Sequence, residues 1–138
     1  MSRFPLDPPV IQTQDIERRF QGGGLQVMAV NGVSLDIRQG ELLVIMGRSG
    51  SGKTTLLNLL GGLDRPTSGT ILWQGQDTGA MSEKEFTRWR RQNVGFVFQS
   101  FGLLPLLSAF ENVDLALRIR GVKGQERRQK ALDALKDV

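Results

Sequence analysis

Neither cysteine nor histidine occurs anywhere in the 138 residues. Disulfides and thiolate metal sites are therefore excluded, and so are a histidine base and a histidine ligand. Long apolar runs are also missing. The richest, LLVIM at Leu42 to Met46, falls far short of the roughly 18 residues a membrane-spanning helix needs. The opening MSRFPLDPPVIQ places three prolines and an aspartate where an export signal needs a continuous apolar stretch. The expectation is a cytoplasmic protein whose membrane role, if it has one, comes through a partner. What is present suits one soluble domain: 39% hydrophobic and 23% charged residues, enough to bury a core. The net charge of +4 fits an anionic ligand and a membrane-proximal position equally well.

Residues Val10 to Phe20 read as an edge-like strand, and the Gly22-Gly23-Gly24 turn returns it as a hairpin. Gln26 to Val30 and Val33 to Ile37 continue the β-rich region, with Asn31-Gly32 as a turn or bulge signal and Gln39-Gly40 closing it. Leu42 to Met46, bounded by Gly40 and Gly47, fits a strand buried on both faces of a mostly parallel sheet. A leucine-rich helix opens at Lys53 and ends at Gly61-Gly62; Pro66 to Gly69 is a loop and Thr70 to Trp73 a short strand. Ser82 with Glu85, and Ser108 with Glu111, have the form of capping boxes, predicting helices to about Gln92 and Arg120. Between them Val94 to Phe98 reads as a second buried strand, and a last helix starts near Gln125.

The segment Gly47-Arg48-Ser49-Gly50-Ser51-Gly52-Lys53-Thr54 matches G-x-x-x-x-G-K-[ST] between a predicted strand and a predicted helix, the context of a phosphate-binding loop. Glycines let successive backbone N–H groups converge on phosphate oxygens. The helix N-terminus adds about half a positive elementary charge aimed the same way. Lys53 adds a whole one. In the standard roles, the Lys53 ammonium takes the β- and γ-phosphates, the Thr54 hydroxyl is a Mg²⁺ ligand and Thr55 bonds the α-phosphate. The ligand this predicts is ATP with Mg²⁺.

From Gly40 onward, GELLVIMGRSGSGKTTLLNLLGGLDRPTSGTI resembles the ABC transporter ATPases, in which the phosphate loop is followed by a Leu-rich helix and D-x-P-T-x-G, here Asp64, Pro66, Thr67 and Gly69. WRRQNVGFVFQSFGLLPLLSAFENV resembles the same family's Q-loop region. The nearest subfamily is the lipoprotein-releasing and macrolide-export type. The resemblance implies an α/β P-loop NTPase, RecA-like, in which residues 1–41 begin an antiparallel β subdomain, 42–99 form the core to the Q-loop, and 100–138 begin a helical subdomain. Phe20 matches the position whose ring stacks on adenine, although most members have Tyr there. Gln99 matches the glutamine that contacts Mg²⁺ and the attacking water; on spacing alone a solvated glutamine at a strand end is the plainer reading, and the surrounding FVFQ context reverses that. Phe101 to Leu107 matches the region facing the transmembrane permease subunits, and packing against the domain's own helices competes with that role. The basic positions Arg88, Arg90, Arg91, Arg127, Arg128 and Lys130 are interspersed with Glu and Asp, so solvated helix faces are expected and no nucleic acid.

The family also has a signature motif, a Walker B strand ending in Asp-Glu and a switch histidine, none of which stands in these 138 residues. Members hydrolyse ATP as head-to-tail dimers. The resemblance thus implies an ATP-binding subunit that powers a partner permease from the inner face of the membrane. This stretch, as a truncated or partial subunit, is expected to bind ATP without appreciable turnover. An inert or regulatory nucleotide-binding fragment, or a P-loop ATPase outside transport, is the alternative.

Overall fold

The computed structural model describes residues 8–138. The chain forms two compact units, Met1–Thr87 and Arg88–Val138.

In the first unit, β1 (Ile11–Gly22) and β2 (Leu25–Ile37) make a long antiparallel hairpin. Gly23 and Gly24, with φ of +59° and +80°, supply its two-residue turn, a conformation that twists with the strands and that only glycine adopts readily. β3 (Ser68–Trp73) pairs with the other side of β1, and the two-residue β4 (Gln76–Asp77) pairs with β3, giving the order β2-β1-β3-β4. Helix α1 (Lys53–Leu60) packs on this sheet. Its Leu59 joins Ile16, Val30 and Ile71 in the core, with Ile11, Val33 and Leu56 around them. Asn31-Gly32 proves to be a bulge within an unbroken strand: the register shifts between Ile16 and Arg18 as Gly32 turns to φ +61°. A second shift falls at Asp15, itself at φ +45°. There the Thr13 hydroxyl donates to Val33 O and accepts from Leu35 N. Residues 66–69, expected to be loop throughout, join the sheet from Ser68. After β4, a 3₁₀ turn at Thr78–Ala80 leads to α2 (Glu83–Asn93).

Two expected strands are not formed. Leu42 to Met46 and Val94 to Phe98 carry no strand structure, and no described strand pairs with either. An apolar run states a demand for burial, but a strand exists only where its N–H and C=O groups meet a ladder. Most of these side chains accordingly stay exposed, with Ile45, Val94 and Phe96 half-buried. Exposure nevertheless alternates: Leu42, Val44 and Met46 are 90%, 66% and 86% exposed, and Leu43 is 42%. Phe96 and Phe98, two residues apart, stack at 5.5 Å. Period two is the geometry of extended chain, so both segments have a strand's shape without its pairing.

The second unit contains α3 (Ala109–Ile119) and α4 (Gly124–Lys136), packed together around the fully buried Ala131. Both expected capping boxes are present. Ser82 N and Oγ donate to Glu85, and Ser108 N and Oγ donate to Glu111, while each serine oxygen accepts from its glutamate's N–H. The side-chain and backbone hydrogen bonds from Ser108 lower the Glu111 carboxyl below its ordinary value of 4.5.

Two outcomes follow from these contacts. A side chain at Gly69, where φ is +81° and a Cβ would come within 2.3 Å of Asp15 O, cannot be accommodated without moving β1 from β3; Gly69→Ala should cost roughly 2–4 kcal/mol in urea unfolding. Because the folded pKa of Glu111 is depressed, its contribution is complete above the unfolded value and is lost as pH falls through the folded one. The protection of α3 amides, measured relative to their intrinsic exchange rate, should therefore fall on acidification below the ordinary value of 4.5, and Ser108→Ala should flatten that dependence.

Candidate functional site

The loop Gly47 to Gly52 runs from the extended segment into α1. Its glycines are used differently. Gly50 turns at φ +78° with nothing within 4 Å of where a Cβ would be, whereas Gly52, at φ +85°, would put a Cβ 1.9 Å from Ala29 O. The loop thus rests its backbone directly on β2. A Cβ on Gly47 would come 2.6 Å from Ser51 Oγ, so the inside of the loop is kept clear by the lack of a side chain there.

Lys53 reaches back over this loop. Its ammonium donates to Gly47 O at 2.9 Å and Arg48 O at 2.7 Å, with Ser51 Oγ at 3.5 Å. One whole charge is thereby centred on the loop. Gly52 caps α1 in the left-handed conformation with no side-chain hydrogen bond, and no acidic residue stands in the first turn. The helix dipole at this end is therefore not cancelled by a neighbouring carboxylate. Thr54 is exposed and Thr55 half-buried on that turn; Arg48, Ser49 and Ser51 are exposed around the loop. Beside them a cleft of about 330 Å³ is lined by Met28 to Asn31 and Val33 of β2, Ile45, Met46, Ser51, Gly52, Lys53 and Leu56.

Phe20, near the hairpin tip, pairs with Val27. Val27 lies two residues, about 7 Å at strand rise, from Ala29, on which Gly52 rests. The ring is 42% exposed, and the Arg18 guanidinium stands 4.6 Å from its centroid. Gln99 belongs to the second unit. It is exposed in a tight turn where Phe101 N donates to Phe98 O and Gly102 N to Ser100 O. Phe101 is held at φ +62°, uncommon for a bulky residue and costing of order 1–3 kcal/mol.

Leu103, Leu104 and Leu106 are exposed beyond that turn. Their backbone is nevertheless anchored: the Asn112 side chain accepts from Leu104 N and donates to Leu104 O, Leu107 O and Ser108 O. Asn112 is one residue that sequence reasoning missed. Arg65 is another. It donates to Thr78 O and Met81 O, pairs with Glu83 and stands 4.3 Å from the Phe86 ring centroid. Several basic residues considered for nucleic acid have local roles: Arg127 pairs with Asp114, Lys130 with Glu126, and Arg128 lies over Phe110.

A profile of the ABC transporter family matches residues 30–138. The chain belongs to the ABC transporter family. Among curated members of that family, it is 46% identical over 131 residues to the macrolide export ATP-binding/permease protein MacB of Brucella abortus, covering 93% of this chain and 20% of that one. It is 44% identical to the ABC transporter ATP-binding protein YtrE of Bacillus subtilis, covering 94% of this chain and 58% of the relative. Among solved structures, the ATP-binding cassette MJ0796, whose Methanocaldococcus jannaschii sequence is also a relative, superposes with a TM-score of 0.82 at 41% identity. That dimeric structure holds ADP and Pi, and the match covers 91% of this chain and 56% of the cassette. The chain therefore has the fold of an ABC cassette over the part it spans, between about a fifth and somewhat over half of these relatives' lengths. Among the described residues no helix is long and apolar enough to cross a membrane.

The loop geometry predicts a contrast between two glycines of this ABC segment. Gly50→Ala, with open space around it, should cost only about 1 kcal/mol for its backbone conformation. Gly52→Ala must also push Ala29 away and should cost roughly 3 kcal/mol or more, read as a larger drop in urea midpoint.

Proposed function

We propose that this chain is the Mg-ATP-binding part of an ABC transporter's ATPase subunit, and that Gly47 to Thr55 hold the polyphosphate. The observation that carries this reading is the Lys53 ammonium centred over the Gly47 and Arg48 carbonyls at the uncapped start of α1. A polyanion entering the loop exchanges those neutral carbonyl partners for phosphate oxygens. The charge-assisted bonds so formed are the stronger ones. The backbone of Gly47, Arg48, Ser49, Gly50, Ser51 and Gly52 lines the anion, and Thr55 adds a hydroxyl at the α-phosphate.

Phe20 is the base platform in this reading, presenting the π-face it shares with Tyr. Thr54 and Gln99 would hold Mg²⁺, which supplies charge neutralisation between the phosphates when bound. The residues fit such a group: Thr54 offers an exposed hydroxyl on the first helical turn beside the Lys53 charge. Gln99 is also the residue proposed to orient water, and the strained Phe101 beside it suits a turn that changes shape. We assign residues 1–41 to the start of a β subdomain, 42–99 to the core and 100–138 to the start of a helical subdomain. The Leu42 to Met46 and Val94 to Phe98 segments, which pair with no described strand, are where a longer cassette would add its strands.

Phe101 to Leu107, with Leu103, Leu104 and Leu106 exposed on a backbone that Asn112 anchors, is the surface proposed to meet a membrane permease. We place the subunit in the cytoplasm on the inner face of the membrane, paired head to tail with a second copy during its cycle. These 138 residues by themselves are proposed to bind ATP without appreciable hydrolysis, since they include no histidine and no Asp-Glu pair to polarise water.

Titration with a fluorescent ATP analogue, with and without Mg²⁺, tests the site. Loss of a charge-assisted bond of roughly 1.5–3 kcal/mol predicts that Lys53→Ala binds about ten- to a hundredfold more weakly. An unchanged affinity in a folded variant would sink the reading.

A further inference from the structure

Helix α1 is connected to the Phe20 ring by a relay that the phosphate loop does not require. Beyond its last turn, Leu63 N and Asp64 N both donate to Asn58 O, which fixes Asp64 to the end of the helix. Asp64 Oδ1 accepts from Arg65 N at 2.8 Å, and Oδ2 receives Arg18 Nε at 2.7 Å. Arg18 then lays its guanidinium over one face of Phe20, 4.6 Å from the centroid. Arg18 and Asp64 are each about a quarter exposed, so the pair is only partly screened by water. Arg18 and Phe20 also follow the buried Ile16 at two-residue spacing on β1, and residues so spaced lie on the same side of a strand.

We propose that Arg18, tethered by Asp64, is a positioning residue that sets the Phe20 ring as a platform for a purine base. This rests on the nucleotide-binding reading above and deepens it. The physical case is one of geometry. A phenyl ring near a hairpin tip has no hydroxyl to anchor it, and it swings about χ1 and χ2 unless something restrains it. A cation on one face restrains the ring and occupies that face through its quadrupole. The opposite face is left for stacking. The same relay runs to the end of the helix whose start carries Lys53, so the base platform and the phosphate loop are held to one rigid element.

The test compares two ligands on the full 138-residue chain: ATP, which has a base, and inorganic tripolyphosphate, which has none. Arg18→Met should weaken ATP about three- to fivefold, as expected for a cation–π restraint, and leave tripolyphosphate unchanged. Arg18→Lys, which keeps a cation over the ring, should recover most of the loss. In a Phe20→Ala background, Arg18→Met should have no further effect. If Arg18→Met proves too unstable to titrate, Asp64→Asn, which loosens the tether and keeps the guanidinium, should show the same separation between ligands. Equal weakening of both ligands, or an undiminished effect without Phe20, overturns the assignment. If Lys53→Ala weakens both ligands while Arg18→Met alters neither, the inference fails and the nucleotide site stands. If Lys53→Ala alters neither, both fall together.

Discussion

The contact between Gly52 and the carbonyl of Ala29 is the point on which the first unit's functional architecture rests. A Cβ at Gly52 would lie 1.9 Å from that oxygen, so the loop meets β2 backbone to backbone, with no side chain to act as an adjustable spacer. From this contact α1 leaves at a fixed height above the sheet. Leu59, two turns along, then falls among Ile16, Val30 and Ile71. The core and the loop are thus set by one constraint. Dispersion and burial hold the helix down, and the glycine decides where it starts.

The sheet under that helix owes its shape to β1, which pairs with β2 on one side and β3 on the other. A central strand with regular ladders on both sides would be nearly straight, but β1 breaks register with both neighbours around Asp15. Bulges increase twist and bend the strand. Here the bend brings the Asp15 carbonyl against Gly69, whose missing side chain lets β3 approach. The Thr13 hydroxyl, bonded to Val33 and Leu35, supplies hydrogen bonds across the irregular stretch. Two close backbone contacts, at Gly52 and Gly69, therefore frame the core from the loop side and from the β3 side.

The features that could be read from sequence are those whose chemistry is local. A capping box needs two residues three apart and a hairpin turn needs adjacent glycines, and each is present where its pattern stands; the eight-residue glycine-rich stretch likewise forms a tight loop that Lys53 folds back over. Arg18, Arg65 and Asn112 could not be read this way. Arg18 finds Asp64 across 46 positions, and Arg65 reaches Met81 across 16, spacings that carry no periodic signal. Asn112 bonds nearer residues, yet as an asparagine inside a helix it resembles any solvated polar residue.

The misread strands are instructive for a different reason. Leu42 to Met46 and Val94 to Phe98 have the composition of buried strands and, in the alternating exposure of one and the stacked rings of the other, the extended shape as well. Only ladder partners are absent among the described residues. Local sequence thus sets the conformation of these segments, while strand identity depends on a neighbour that local sequence does not contain. Lys53 and its loop follow directly from the first of them, so extra pairing at Leu42 to Met46 would stiffen the loop's entry just as Gly52 and Ala29 fix its exit. In the proposed anion-binding role, a loop held at both ends loses less conformational freedom when an anion enters, so partners for this segment would be expected to increase affinity without touching the ligand.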